Sequence, residues 1–202
     1  MTIQWRSQKN RSYSDWTTEK FQDIAIIRTN LVSPREYLDF PHIAPDNIEK
    51  GSGKLLPYHT VAEDRVISGK HLFHKGQILY SKIRPYLSKV ILAEFDGLCS
   101  ADMYPIDAKC NNKYLWYYML SDRFLNQASN AGSRTVLPKI NQKELNKVTV
   151  PIPSIEEQEE IVRLLDEYFS RLDNAMAMIQ SIDDSIEQMK TILLRKAFRG
   201  EL

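Results

Sequence analysis

The feature that most constrains this chain is a long run of apolar residues near its C-terminal end, spaced alternately by four and by three. The spacing holds without interruption for more than four heptads, which is typical of the seam of a coiled coil. The members of this heptad seam are Ile161, Leu165, Tyr168, Leu172, Ala175, Ile179, Ile182, Ile186, Met189 and Leu193. We therefore expect one continuous helix whose seam packs against a partner and serves as a dimerisation surface.

Local signals mark both ends of this helix. Ser154 followed by Glu157 forms a capping box, with further glutamates beside the positive end of the helix dipole. The basic residues within 195–199 suit the negative end, and Gly200 suits a helix stop. The sequence thus predicts a helix of about 44 residues, which is roughly 66 Å long at a rise of ~1.5 Å per residue.

A helix of that length exceeds the size of the rest of the chain. A compact body of about 150 residues has a radius of gyration near 15 Å, so we expect the helix to protrude from it. One flank of the seam carries Val162, Phe169 and Met176, where a two-stranded coiled coil would place charge. We therefore expect the helix to contact more than one element, with Ala175 and Ala177 allowing a crossing helix to approach closely.

Charge is divided unevenly along the chain, although the formal net charge is only +1. Residues 1–150 hold 21 Lys and Arg against 15 Asp and Glu, whereas residues 151–202 hold 6 against 11. A basic body suits contact with nucleic acid, and an acidic tail suits contact with protein. The basic excess is small, so taken alone it favours an ordinary solvated surface.

The first 150 residues combine strand and helix signals. Strand patterns bounded by Gly or Pro occur at 77–83, 87–95 and 97–106. We expect a single helix over 113–129, a short helix capped by Asn141, and a last strand that Pro151 ends together with Pro153. The fold class predicted is α+β: a globular body with a mixed β-sheet, residues 1–152, followed by one long protruding coiled-coil helix, residues 153–202.

Several classes of protein find no support in the sequence. Only Cys99 and Cys110 are present, and there is neither a signal-peptide core nor an apolar run near the ~18 residues of a membrane span, so we expect a cytoplasmic protein. Phosphate-binding loops and zinc-ligand spacings are absent, so we expect no metal and no cofactor. A nuclease built on Asp102, Asp107 and Lys109 stays open as an alternative, beside the simpler reading of surface charges near a turn.

Cations and aromatic rings are concentrated in the segment YSKIRPYLSKV. Lys82, Arg84 and Lys89 lie around a proline, together with Tyr80 and Tyr86. Cations at this density neutralise phosphates, while the rings can pack in the core or against sugars. We predict that the three cations contact DNA phosphates.

A second polar segment, NAGSRTVLPK, follows the expected helix. Its short polar side chains and its arginine, at Ser133, Arg134 and Thr135, are of the kind that contacts base edges, and Lys139 adds a cation. We predict that these four residues bind DNA. A segment of either kind, taken alone, is more often a solvated loop.

The C-terminal third resembles the specificity subunits of type I restriction–modification enzymes. The resemblance rests on GSRTVLPKINQKELNKVTVPIPSIEEQEEIVRLLD and on the ending LLRKAFRGEL. The segments GQILYSKIRPYLSKV and CSADMYPI are similar to the central part of that family's target-recognition domains. The resemblance implies a non-catalytic protein whose recognition domain, residues 1–152, reads half of a split double-stranded DNA site. It also implies that the long helix sets the spacing and docks adenine methyltransferase subunits, beside a restriction (translocase) subunit.

The chain departs from this family in one respect. The usual subunit carries two recognition domains and two long helices, whereas this sequence contains one of each. We therefore expect a half-subunit that forms a homodimer and reads two identical half-sites in inverted orientation. The alternative is a decoy half-subunit that pairs with a full-length or split specificity subunit and alters its target.

Overall fold

The computed structural model describes residues 16–131 and 138–201. Its strands are β1 (Thr17–Lys20), β2 (Ala25–Ile27), β3 (Leu31–Val32), β4 (Pro41–Ile43), β5 (His59–Thr60), β6 (Lys70–Phe73), β7 (Ile78–Ser81), β8 (Val90–Leu92), β9 (Gly97–Cys99), β10 (Met103–Ala108) and β11 (Thr149–Ile152). Its α-helices are α1 (Phe21–Ile24), α2 (Asn112–Leu120), α3 (Asp122–Ala131), α4 (Gln142–Leu145) and α5 (Ile155–Ala197). Sheets combined with a long C-terminal helix confirm the α+β prediction.

A four-stranded antiparallel sheet, in the order β2-β10-β7-β8, forms one side of the main core. All four residues of β7 are buried, as expected for a strand with neighbours on both edges. Against this sheet pack α2 and α3, which contribute Leu115 and Phe124. The Phe124 ring lies 5.7 Å from the Tyr80 ring and 6.3 Å from the Phe21 ring, in the tilted or edge-on arrangements that aromatic rings prefer.

A second, five-stranded sheet has the order β3-β6-β9-β4-β5 and is mixed, because β4 pairs with β9 in parallel and the other pairs are antiparallel. This confirms the predicted mixed sheet. Close packing at the start of β9 requires a glycine. A Cβ atom on Gly97 would lie 2.6 Å from the Phe73 ring and 2.8 Å from the Pro41 carbonyl oxygen.

The prediction of one helix over 113–129 is wrong, because Ser121 divides it into α2 and α3. Ser121 has extended backbone angles, φ −74° and ψ 152°. Its hydroxyl donates to the Tyr118 carbonyl at 2.7 Å and accepts from the Phe124 N–H at 3.4 Å. A serine side chain that bonds to nearby backbone in this way competes with the helical pattern, so it ends one helix and caps the next.

The strand β11 pairs with β1 in a two-stranded antiparallel sheet, with Pro151 opposite Thr18. The strand ends at Ile152, directly before Pro153 as predicted, but Pro151 lies within it, so the prediction that Pro151 also ends the strand is wrong. Proline lacks the N–H that a strand between two neighbours needs, but it is tolerated on an edge. The predicted short helix capped by Asn141 is confirmed: the Asn141 side chain accepts from the Glu144 N–H, and Glu144 returns the bond.

The start of α5 is held by its capping box and by a buried glutamine. Ser154 and Glu157 exchange side chain–backbone hydrogen bonds at 3.3 Å, which confirms the predicted cap. Gln158 is 3% exposed. Its amide donates to the Pro153 carbonyl at 2.9 Å and accepts from the Asn111 N–H at 2.9 Å. This side chain therefore ties the first turn of α5 to the residue that caps α2.

The helix α5 has 43 residues, close to the predicted length, and is followed by a turn in which Gly200 has a φ of 71°. Every described residue from Glu167 onward is exposed. Contacts group the chain into a unit that ends at Glu159 and a unit that begins at Glu160. Among the helices of residues 16–131 and 138–201, none combines the length and the apolar character of a membrane span.

Candidate nucleic-acid interface

Sheet pairing brings two distant segments to the end of β7. Ser81 pairs with Met103, so the chain leaving β7 lies beside the chain entering β10. The Lys82 N–H then donates to the Asp102 carbonyl oxygen at 3.0 Å. This edge carries the first of the predicted phosphate contacts.

Residues 138–140 run antiparallel to residues 82–84 at the same edge. Ile83 forms a β-bridge with Lys139. Arg84 N–H donates to the Pro138 carbonyl at 2.8 Å, and Ile140 N–H donates to the Lys82 carbonyl at 2.9 Å. The fold therefore brings together three predicted DNA-binding residues, Lys82, Arg84 and Lys139, from two segments of the sequence.

Lys82 is partly buried against this edge. Its ammonium donates to the Ala101 carbonyl at 2.6 Å and lies 5.3 Å from the centre of the Tyr104 ring. The carbonyl oxygen accepts from the ammonium, and the electron-rich face of the ring attracts the cation. The Lys82 charge is thereby fixed in position rather than free to move with a flexible stem.

Arg84 is exposed and stands in the left-handed backbone region, with φ 49°. It precedes a single 3-10 turn, Pro85–Leu87, after which Ser88 is also left-handed at φ 46°. Positive φ costs a non-glycine residue about 1 kcal/mol or more, and such strain is concentrated at functional sites. Within residues 16–131 and 138–201, the Arg84 guanidinium has no hydrogen-bond or ion-pair partner.

Lys139 and Lys89 are both engaged within the protein, but to different degrees. The Lys139 ammonium lies 3.1 Å from a carboxylate oxygen of Asp102, and both side chains are about half exposed. The Lys89 side chain is only 16% exposed, and its ammonium donates to the Pro45 carbonyl at 2.7 Å. Lys139 can therefore contact a phosphate only in competition with Asp102, whereas Lys89 would first have to leave a mostly buried position.

The predicted base-reading residues Ser133, Arg134 and Thr135 lie outside the described residues. The described chain resumes at Pro138, whose carbonyl accepts from Arg84.

Lys82, Arg84 and Lys139 form what we call the cation cluster. Sequence reasoning missed two residues near it. Lys70 is 9% exposed and donates to the Ser68 hydroxyl at 2.7 Å; burial lowers the pKa of Lys70, and the negative charge of Asp102 opposes that shift. His71 is also buried, and burial together with the positive charge of Lys82 lowers the pKa of His71. Local sequence does not place either residue near the cluster, because the pairing of β6 within the second sheet sets their positions.

The nuclease candidates do not form one site. Asp102 pairs with Lys139, whereas Asp107 accepts from Arg28 at 2.5 Å and from Gln77 at 2.6 Å. The two aspartates are separated by the length of β10, about 16 Å at ~3.3 Å per residue. In the part of the chain that the structure describes, no three His, Cys, Asp or Glu side chains are grouped so as to hold a metal ion.

The heptad seam of α5 is apolar and open to solvent. Ile161 and Leu165 are half-buried and Ala175 is exposed. The other seam residues are exposed by 41% to 60%: Tyr168, Leu172, Ile179, Ile182, Ile186, Met189 and Leu193. An apolar stripe of this length is characteristic of a surface that packs against another helix.

Comparison with known proteins identifies the family. A profile described as the type I restriction modification DNA specificity domain matches residues 13–188. The type I restriction enzyme EcoDI specificity subunit of Escherichia coli is 43% identical over 100% of this chain and 50% of that protein. The EcoBI specificity subunit of Escherichia coli is 38% identical over 39% of this chain and 16% of that protein. The chain thus spans about half the length of the EcoDI subunit, and its alignment with the EcoBI subunit covers a smaller share of that protein.

Two solved structures share the fold. The HsdS subunit from Thermoanaerobacter tengcongensis has a TM-score of 0.67 and 20% identity, over 79% of this chain and 43% of that one. The type I restriction-modification system S subunit from M. genitalium has a TM-score of 0.58 and 14% identity, over 88% and 44%. Because the family profile covers most of this chain and the EcoDI alignment covers all of it, the chain belongs to the type I restriction modification DNA specificity domain family.

Proposed function

We propose that this chain is a non-catalytic DNA specificity half-subunit of a type I restriction–modification enzyme. The body, residues 1–152, reads one half of a split DNA site, and the helix over 153–202 pairs with the same helix of a second copy. The observation that carries this proposal is the alignment of the whole chain with half of a specificity subunit at 43% identity. The partners of the dimer are then adenine methyltransferase subunits and a restriction subunit.

The DNA-binding surface proposed is the edge formed by residues 82–84 and 138–140. Lys82, Arg84 and Lys139 supply phosphate contacts there, since phosphate neutralisation provides most of the affinity for any duplex. Ser133, Arg134 and Thr135 are proposed to lie near the bases. Phosphate contact by Lys89 remains a prediction. Such contact requires the Lys89 ammonium to leave the Pro45 carbonyl.

The homodimer is supported by the open seam of α5. Two copies would be related by a two-fold axis, so each seam residue meets its counterpart surface in the other chain. Protein two-fold symmetry is copied into the DNA, so the half-sites would form an inverted repeat. Apolar flanking residues beside the seam, such as Phe169 and Met176, are exposed by 47% and 65%, and they supply surface for methyltransferase subunits.

The experiment that tests the assembly is size exclusion with light scattering over a range of concentrations. A stable species of about 47 kDa, twice the 23.5 kDa of one chain, is expected. A species of 23.5 kDa at all concentrations would contradict the homodimer and would mean that the seam pairs with another protein, as in the decoy alternative.

The experiment that tests the DNA surface is a titration of a fluorescent duplex at several salt concentrations. Arg84→Ala or Lys82→Ala should weaken binding to all sequences and lower the slope of log affinity against log salt by about 1. Unchanged affinity in both variants would show that this edge does not bind DNA.

A further inference from the structure

Asp102 places a negative charge in the middle of the proposed DNA surface. Its backbone is held from two sides: its N–H donates to the Ser100 hydroxyl at 3.2 Å, and its carbonyl accepts from the Lys82 N–H at 3.0 Å. The backbone of Asp102 is therefore fixed at the edge formed by residues 82–84 and 138–140.

The carboxylate of Asp102 is directed at one of these cations. One oxygen lies 3.1 Å from the Lys139 ammonium, and the Asp102 side chain remains 42% exposed. Its charge also reaches Lys70, where it opposes the effect of burial on the lysine pKa. The same surface thus holds cations that attract phosphates and a carboxylate that repels them.

Folding stability does not account for this arrangement. An ion pair between two half-exposed side chains contributes little to stability, because water screens the charges and holding both side chains costs entropy. The functional cost is larger, since a phosphate that contacts Lys139 must displace the carboxylate and remain close to it. A protein that must distinguish one site from many unrelated sites benefits from weaker non-specific binding.

We propose that Asp102 is a specificity-determining residue that weakens binding to unrelated DNA by occupying Lys139. This inference rests on the proposed function, since it requires the edge at residues 82–84 and 138–140 to be the DNA surface. On DNA of unrelated sequence, the Asp102 carboxylate competes with phosphate for Lys139. Duplexes of unrelated sequence then meet a surface with one effective cation fewer.

The test is Asp102→Asn in the full chain, titrated with a duplex of random sequence at several salt concentrations. The substitution keeps the shape of the side chain and removes its charge. Affinity for the random duplex should rise by roughly tenfold near physiological salt, and the salt slope should steepen by about 0.9, as for one added phosphate contact. In a Lys139→Ala background the same substitution should raise affinity by less than about twofold, because the cation that Asp102 occupies is gone.

Glu94→Gln is the matched control, because it removes one negative charge from an exposed residue at the other end of β9. If Glu94→Gln raises affinity as much as Asp102→Asn, overall charge is the cause and the role of Asp102 is refuted. An equal gain from Asp102→Asn with and without Lys139 would refute it as well.

Arg84→Ala separates this inference from the proposed function. If Arg84→Ala weakens binding but Asp102→Asn leaves it unchanged, only the role of Asp102 is lost. If neither Arg84→Ala nor Lys82→Ala weakens binding, the DNA surface itself is misplaced, and the role of Asp102 is refuted with it.

Discussion

The cation cluster of the body and the heptad seam of α5 differ in whether the chain itself supplies partners for their side chains. Lys82 and Lys139 each have a protein acceptor, at the Ala101 carbonyl and the Asp102 carboxylate. The seam residues Ile179 and Ile182 are exposed by 60% and 58%. The body therefore folds around its own core and supplies these cations with acceptors, whereas the seam leaves apolar side chains exposed.

Lysines in the seam should have the largest effect, because they act on association and leave the body unchanged. The double substitution Ile179→Lys and Ile182→Lys would bury four ammonium groups in a dimer, at a cost of several kcal/mol per ion. We expect light scattering to show only the single-chain mass at micromolar concentration, with the urea midpoint of the body unchanged. Gln180→Lys with Ser181→Lys, which adds the same charges outside the seam, should keep the dimer. Dimeric mass in the seam variant would refute the seam assignment.

Truncation of Phe124 should affect the body and spare the seam. This side chain is 1% exposed and packs against the rings of Phe21 and Tyr80, so Phe124→Ala should lower the free energy of unfolding by about 3–5 kcal/mol. Urea unfolding followed by circular dichroism measures this change. The exposed neighbour Asn126 provides the control, since Asn126→Ala should stay within about 0.5 kcal/mol. A loss below about 1 kcal/mol for Phe124→Ala would contradict the packing described.

Loss of the Gln158 amide should have a smaller effect at the first turn of α5. Gln158→Ala leaves the Asn111 N–H and the Pro153 carbonyl without this partner, which costs about 1–3 kcal/mol of unfolding free energy. Urea unfolding again gives the measurement, with the exposed Glu159→Ala as the comparison. Equal stability of the two variants would show that the buried amide does not hold this turn.

The smallest effect concerns pH. A hydrogen bond from His42, followed by one from His59, holds the pKa of Asp64 below its ordinary value near 3.8. A depressed carboxylate pKa contributes stability that is present above the unfolded pKa and is lost as pH falls through the folded pKa. The difference in unfolding free energy between the wild type and Asp64→Asn should therefore be largest near about pH 7 and shrink in acid. A difference that does not change with pH would contradict this role of the two hydrogen bonds.

Local patterns predicted the helix α5 well because its signals lie within a few residues of each other. The capping box of Ser154 and Glu157 and the stop near Gly200 both appear as expected. The break at Ser121 was missed, since one serine within an apolar helical pattern looks like an ordinary surface position. Its hydroxyl turns back to the Tyr118 carbonyl instead, and the helix ends there.

The candidate site was predictable only in part. The segment around Lys82 and Arg84 stood out by its density of cations, and Lys139 by its place on a polar loop. Their closeness was not predictable, because the bridge between Ile83 and Lys139 joins residues far apart in sequence. The same holds for Lys89, whose ammonium bonds to the Pro45 carbonyl in a distant loop.

The sequence by itself determined the α+β class, the long helix with its caps, and the segments that carry the candidate cations. These features depend on periodicity and on contacts within one turn or one strand, which neighbouring residues specify. Only the tertiary structure decided that Lys82, Arg84 and Lys139 lie together. It also decided that Asp102 pairs with Lys139 and that the Lys89 ammonium bonds to the Pro45 carbonyl. Sheet pairing sets these environments, and it joins residues whose separation along the chain leaves no local signal of their contact.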